Sequence, residues 1–121
     1  MSVFVALLLA AAAPQTFDRC DPAVPDKSAD EVALCLDRLR GQADAALNQV
    51  YRQALASLPP PDRITLRDAQ RAWLAFRAKD QASLTGGWRA GRGTRVRIEA
   101  ARADVTAIVA RTRQLQAYLT R

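Results

Sequence analysis

The chain has 121 residues, half of them hydrophobic, which is enough for one small domain around a single core. It contains no histidine and only two glutamates, which removes the commonest acid–base group and most routes to a metal site. Residues 1–61 carry five basic and seven acidic groups, a balance of −2, whereas residues 62–121 carry thirteen and five, a balance of +8. A basic half of this kind attracts nucleic acid, anionic lipid, an acidic protein surface or a cleft lined by carboxylates.

The chain begins with an apolar run from residue 3 to residue 13 that ends in small residues, the pattern of a secretory signal peptide. The run is shorter than the roughly 20 residues that a membrane-spanning helix needs. We therefore predict a signal peptide at residues 1–13 with cleavage near Ala12 or Ala13, no transmembrane anchor, and a periplasmic or secreted mature protein. An N-terminal helix of the core is the alternative interpretation.

The two cysteines, Cys20 and Cys35, are the only ones in the chain, and an even count in a small exported domain favours a disulfide. Such a bridge would tie an irregular, proline-containing arm at residues 14–27 to the first helix. A closed loop of this size stabilises a fold by about 3 kcal/mol. In a reducing compartment the pair would instead be two buried thiols.

The first predicted helix follows the arm, where Ser28 and Glu31 form a capping box. Apolar residues then recur at steps of three and four, which is typical of an amphipathic helix. Three consecutive prolines from Pro59 onward end it. The residues predicted to face inward are Val32, Leu36, Leu39, Ala43, Leu47, Val50, Ala54 and Leu58.

Two further helices are predicted in the basic half of the chain. The second begins with Asp62 as N-cap and stops at Gly86 and Gly87. Its predicted inward residues are Leu66, Ala69, Trp73, Phe76 and Leu84. A flexible loop, "GGWRAGRGTR", leads to the third helix, whose predicted inward residues are Ile98, Ala101, Val105, Ile108, Thr112, Leu115 and Leu119.

No segment alternates apolar and polar residues as a strand does, and the chain is too short for additional layers. We therefore predict an all-α fold: a small antiparallel three-helix bundle at residues 28–121, with the N-terminal arm tied to it by the disulfide.

Two stretches, "DAALNQVY" and "LRDAQRAWLAFR", give the chain a resemblance to a known family. Together with the cysteines and the last helix, they make residues 20 to about 119 similar to the lysozyme inhibitor LprI-like N-terminal domain family. The resemblance implies a small exported bacterial helical domain, and the family takes its name from a member that inhibits lysozyme. A second cysteine pair common in the family is absent, with Gln81 and about Ala103 at the corresponding positions. Ile108 also replaces a usual threonine, and the loop after Gly87 is longer and richer in arginine.

The family motifs have two interpretations. Gln70, Trp73 and Arg77 share one helix face, and Asn48 and Tyr51 lie one turn apart. They form either a groove that grips a partner or a hydrogen-bond network between helices, in which Arg77 and Gln70 bind Asn48 and Tyr51. We favour the network. The motif residues predicted to be mainly structural are Asp44, Leu47, Asn48, Tyr51, Leu66, Gln70, Trp73, Arg77 and Arg111.

The arginine-rich loop and the start of the next helix are the candidate partner-binding site. Its residues are Trp88, Arg89, Arg92, Arg95 and Arg97. Lysozyme's cleft contains two catalytic carboxylates, and an arginine placed between them would block substrate. A solvated insertion without function is an equally weighted alternative.

The sequence argues against an enzyme, because its serines have no histidine to activate them and its two cysteines are expected to pair with each other. We predict no catalytic residue, no cofactor and no metal. The first functional hypothesis is an exported binding protein that inhibits lysozyme or a related cell-wall lytic enzyme. The alternative is a periplasmic structural or polyanion-binding module for lipopolysaccharide, anionic lipid or nucleic acid, although export argues against nucleic acid.

Overall fold

Three long α-helices make up most of the described chain, which is Cys20 and residues 28–120 of a computed structural model. They are α1 (Ala29–Ser57), α2 (Pro60–Leu84) and α3 (Thr94–Gln116), with short 3₁₀ turns at Gly87–Arg89 and Ala117–Leu119. The described residues contain no strand, which confirms the all-α prediction. None of their helices has the length and apolar character needed to cross a membrane. The predicted signal peptide and, apart from Cys20, the predicted arm lie outside the described residues.

The ends of α1 and the start of α2 follow from capping and proline chemistry. The Ser28 hydroxyl accepts a hydrogen bond from the Glu31 backbone N–H at 3.1 Å, as the capping box predicts. α1 ends before the prolines, but the second and third of them begin α2. Proline is tolerated there because the first N–H groups of a helix have no intrahelical partner. The prediction that Asp62 caps α2 is therefore wrong: Pro59 holds that position and Asp62 lies in the first turn.

The apolar core lies between α1 and α3, which pack along their length as the predicted stripes require. Its first cluster contains Cys20, Val32, Leu36, Leu39, Ala101 and Val105. Its second contains Leu47, Val50, Ala54, Leu66, Ile108 and Leu115. The Cys20–Cys35 disulfide is formed, with 5.6 Å between the two Cα atoms, and it places Cys20 in the first cluster. The predicted bridge is thereby confirmed.

The second helix departs from the predicted packing, because only Leu66 and Gln70 of α2 are fully buried. Phe76, predicted to face inward, is 65% exposed, and Ala69 is also exposed. At 100° per residue, both lie on a flank of the inner face that includes Leu66, Gln70 and Arg77. Long side chains on this inner face reach the other two helices. The α2 backbone therefore lies farther from those helices, and its flanks are exposed to water. Leu119, also predicted to face inward, is 38% exposed in the final 3₁₀ turn.

Candidate functional site

Arg77 on α2 joins the three helices through two carboxylates. Its Nη1 and Nη2 donate to Asp44 of α1 at 2.8 and 3.0 Å. Its Nε and Nη2 donate to Asp104 of α3 at 2.7 and 3.0 Å. Asp104 is only 3% exposed. The hydrogen bonding that it accepts from Arg77 is the main cause that raises the pKa of the guanidinium, and burial of Arg77 opposes this effect. This doubly bidentate arrangement holds α2 onto the other two helices.

The ion pairs continue along α1 toward the start of α3. Arg40 lies 3.6 Å from Asp104 and donates to Asp37 at 2.8 Å. Arg97, one of the predicted partner-binding residues, donates to the other oxygen of Asp37 at 3.0 Å. Arg97 therefore contributes to attaching α3 to α1, although half of its side chain remains in water.

The predicted partners of the polar network are wrong. Arg77 binds Asp44 and Asp104 rather than Asn48, and Gln70 accepts a hydrogen bond from Arg111 Nε at 2.9 Å. Asn48 is exposed. Asp44 lies one turn before it, and a carboxylate binds a guanidinium more strongly than an amide does. Asp104 was missed, although it interrupts the apolar stripe of the third helix, which is the signal that marks a buried acid.

The remaining motif residues belong to the packing between helices. Leu47 and Leu66 are buried in the second core cluster, and Tyr51 and Trp73 pack against it. The Arg77 guanidinium lies 5.6 Å from the centre of the Trp73 ring, a distance at which cation–π attraction operates.

Gln81 lies where the family resemblance places a cysteine. Its Nε2 donates to the Ala100 carbonyl oxygen at 2.9 Å and so links α2 to α3. A hydrogen bond thus connects the two helices that, as the resemblance implies, a second disulfide joins in that family.

The connection between α2 and α3 is a structured turn; together with the first two residues of α3 we call it the tip (residues 86–95). Successive backbone hydrogen bonds support it, from Arg89 N–H to the Gly86 carbonyl oxygen and from Ala90 N–H to that of Gly87, both at 3.0 Å. Gly91 and Gly93 have φ values of 85° and 55°, which L side chains rarely adopt. These glycines therefore permit the turn that connects the two helices.

The tip presents an indole that is exposed yet held in place. Trp88 is 71% exposed, while its Nε1–H donates to the Ser83 carbonyl oxygen at 2.7 Å. The guanidinium of Arg89 lies 5.0 Å from the ring centre. A Cβ added at Gly86 would meet both the Ser83 oxygen and Trp88 Cδ1 at 3.3 Å, so glycine gives the indole room to approach.

Arg89 is directed into the fold rather than outward. Its Nη1 donates to the Leu84 carbonyl oxygen at 3.3 Å, and its Nη2 donates to a carboxylate oxygen of Glu99. Arg95 Nε donates to the other Glu99 oxygen at 3.2 Å. These contacts lower the pKa of Glu99, with the hydrogen bond from Arg89 as the largest cause. Glu99 therefore stays ionised to a lower pH than an ordinary glutamate, and its link to Arg89 persists to that pH.

The outward cations of the tip are Arg92 and Arg95. The exposed side chain of Arg92 makes no hydrogen bond or ion pair within the described part of the chain, and Arg95 is 77% exposed despite its contact with Glu99. Of the five predicted partner-binding residues, Trp88, Arg92 and Arg95 face solvent. Arg97 is also exposed, but like Arg89 and Arg95 it makes an ion pair within the domain.

A search of protein-family models matches residues 20–115 to the family described as Lysozyme inhibitor LprI. The chain belongs to that family. The match runs from the first cysteine of the disulfide to Leu115 near the end of α3, so it contains both the Arg77 network and the tip. It confirms the resemblance inferred from the sequence motifs. No curated protein and no solved structure matches the chain.

In this LprI domain the network and the tip are chemically different. The cations of the network are paired with carboxylates between helices, whereas the tip leaves an indole and two guanidinium groups facing water. A partner has more to contact at the tip, because neutralised and partly buried ion pairs offer little free charge.

Proposed function

We propose that the mature protein is exported and acts, without catalysis, as an inhibitor of lysozyme or of a related cell-wall lytic enzyme. Membership of the LprI family supports this role. The disulfide supports a periplasmic or secreted location, since such bridges persist in oxidising compartments. The absence of histidine from the whole sequence supports a binding function rather than hydrolysis.

One observation carries the proposal: Arg92 and Arg95 project from the same tip as the exposed Trp88. A glycosidase cleft contains a pair of carboxylates, about 5 Å apart in a retaining enzyme, and guanidinium groups complement such a pair. A tip that occupies this cleft excludes the polysaccharide and needs no chemistry of its own.

The direct test is the rate at which lysozyme clears a suspension of cell walls. We expect the oxidised mature protein to slow clearing, and we expect Arg92→Ala with Arg95→Ala to raise the concentration needed by about tenfold, equivalent to about 1.4 kcal/mol. The matched control is Arg67→Ala with Arg71→Ala, which removes the same charge from exposed positions on α2. Unchanged clearing in a molar excess of the protein would contradict the proposal.

The exposed surface of α2 supports a second candidate function, the binding of anionic lipid or lipopolysaccharide. Arg67 and Arg71 are exposed one turn apart, beside the exposed Leu74, and this combination suits anionic lipid or lipopolysaccharide. Binding of this kind falls steeply with salt through release of counterions. If this is the function, Arg67→Ala with Arg71→Ala would lose binding to anionic lipid vesicles, whereas Arg92→Ala with Arg95→Ala would retain it. The same two variants therefore separate the two functions.

A further inference from the structure

We propose that Trp88 is the anchor of the inhibitory surface, inserting its indole into an apolar pocket of the enzyme that carboxylates border. Arg89 and Glu99 act as positioning residues behind it and do not contact the partner. This inference rests on the proposed function, since it specifies which feature of the enzyme the tip recognises.

The polar group of the Trp88 indole is already satisfied within the protein. A tryptophan that enters an apolar pocket must satisfy its N–H, or an unpaired buried donor weakens binding. In this protein the Trp88 Nε1–H already donates to the Ser83 carbonyl oxygen. The ring can therefore lose its water without needing an acceptor from the partner, which fits a pocket whose floor is apolar.

The Trp88 ring is also preorganised for binding. The ring is fixed from below by Arg89, which is itself held by the Leu84 carbonyl and by Glu99. Because the side chain is already ordered in the free protein, binding costs it little rotamer entropy. Rigid, exposed aromatic side chains with these properties are the residues that dominate binding energy at interfaces.

Positive charge surrounds the Trp88 ring at the tip. The charge of Arg89 is balanced by Glu99, but Arg92 and Arg95 leave the rim of the tip positive. Charge complementarity then favours a pocket with carboxylates at its rim over a neutral one. Phe76 provides the internal comparison: it is a second exposed aromatic ring, but it lies about two turns before the end of α2, outside the tip.

The test is calorimetric titration of lysozyme with the oxidised mature protein and four variants. The variants are Trp88→Ala, Phe76→Ala, Arg89→Ala, and Trp88→Ala combined with Arg89→Ala. We expect Trp88→Ala to weaken binding about thirtyfold, and we expect Phe76→Ala to stay within twofold of the wild type. Because both side chains are exposed, both variants should fold, and equal melting temperatures verify this. Wild-type protein that does not bind would overturn both the inference and the proposed function. Wild-type binding that Trp88→Ala leaves unchanged would overturn the anchor alone.

The positioning role is tested by a double-mutant cycle. Arg89→Ala should weaken binding about fivefold in the wild-type background and have no further effect in Trp88→Ala, because Arg89 acts only through the indole. An independent, additive loss in both backgrounds would mean that Arg89 itself contacts the enzyme, which would overturn its assignment as a positioning residue.

Discussion

Replacing Arg77 with alanine is expected to lower the free energy of unfolding by about 3 kcal/mol. The change removes the guanidinium that binds Asp44 and Asp104, and it leaves the Asp104 carboxylate buried with only the more distant Arg40 nearby. An uncompensated buried charge costs far more than an exposed ion pair contributes. The measurement is chemical denaturation of the oxidised protein, with a lower melting temperature as the second readout.

The matched control is Arg71→Ala, which removes an exposed arginine from the same helix and should change stability by less than about 0.5 kcal/mol. A double variant, Arg77→Met with Asp104→Leu, should recover much of the loss, because it removes the buried carboxylate together with its guanidinium partner. If Arg77→Ala and Arg71→Ala unfold at the same denaturant concentration, the network does not hold the helices together.

Loss of the disulfide is expected to cost about 3 kcal/mol, because the bridge closes a loop between residues 15 apart in sequence. Cys20 is fully buried in the first core cluster, so releasing it also removes apolar contacts with α1 and α3. The measurement compares the unfolding of oxidised and reduced protein.

The control for this experiment is the variant Cys20→Ala with Cys35→Ala. Its stability should match that of the reduced protein and should not respond to the reductant. An equal unfolding midpoint for oxidised and reduced wild-type protein would contradict the structural role of the bridge.

The helices and the disulfide were predictable because their signals are local. Apolar residues recur at the spacing of one helix face in α1, which includes Leu36, and again in α3, which includes Val105. This spacing identifies the apolar stripes of both helices directly. The packing of α2 was not predictable by the same rule. Trp73 and Arg77 are long enough to reach the other helices, so periodicity around them overstates the burial of Phe76.

The site was predictable in its location but not in its internal arrangement. An aromatic and several arginines in one loop indicated the tip, yet the sequence does not reveal which of them pair within the domain. The contact of Arg89 with Glu99 depends on a turn that contains two left-handed glycines. The pairing of Asp104 was not predictable for a similar reason, because its partner Arg77 lies on another helix.

We propose that the tip contacts the enzyme, while the Arg77 network supports the tip without touching the partner. The decisive experiment is hydrogen exchange of the oxidised protein with and without saturating lysozyme. We predict slowed exchange of backbone amides at residues 86–95, with little change along residues 60–84. Slowed exchange confined to residues 60–84, or no slowing anywhere, would contradict it.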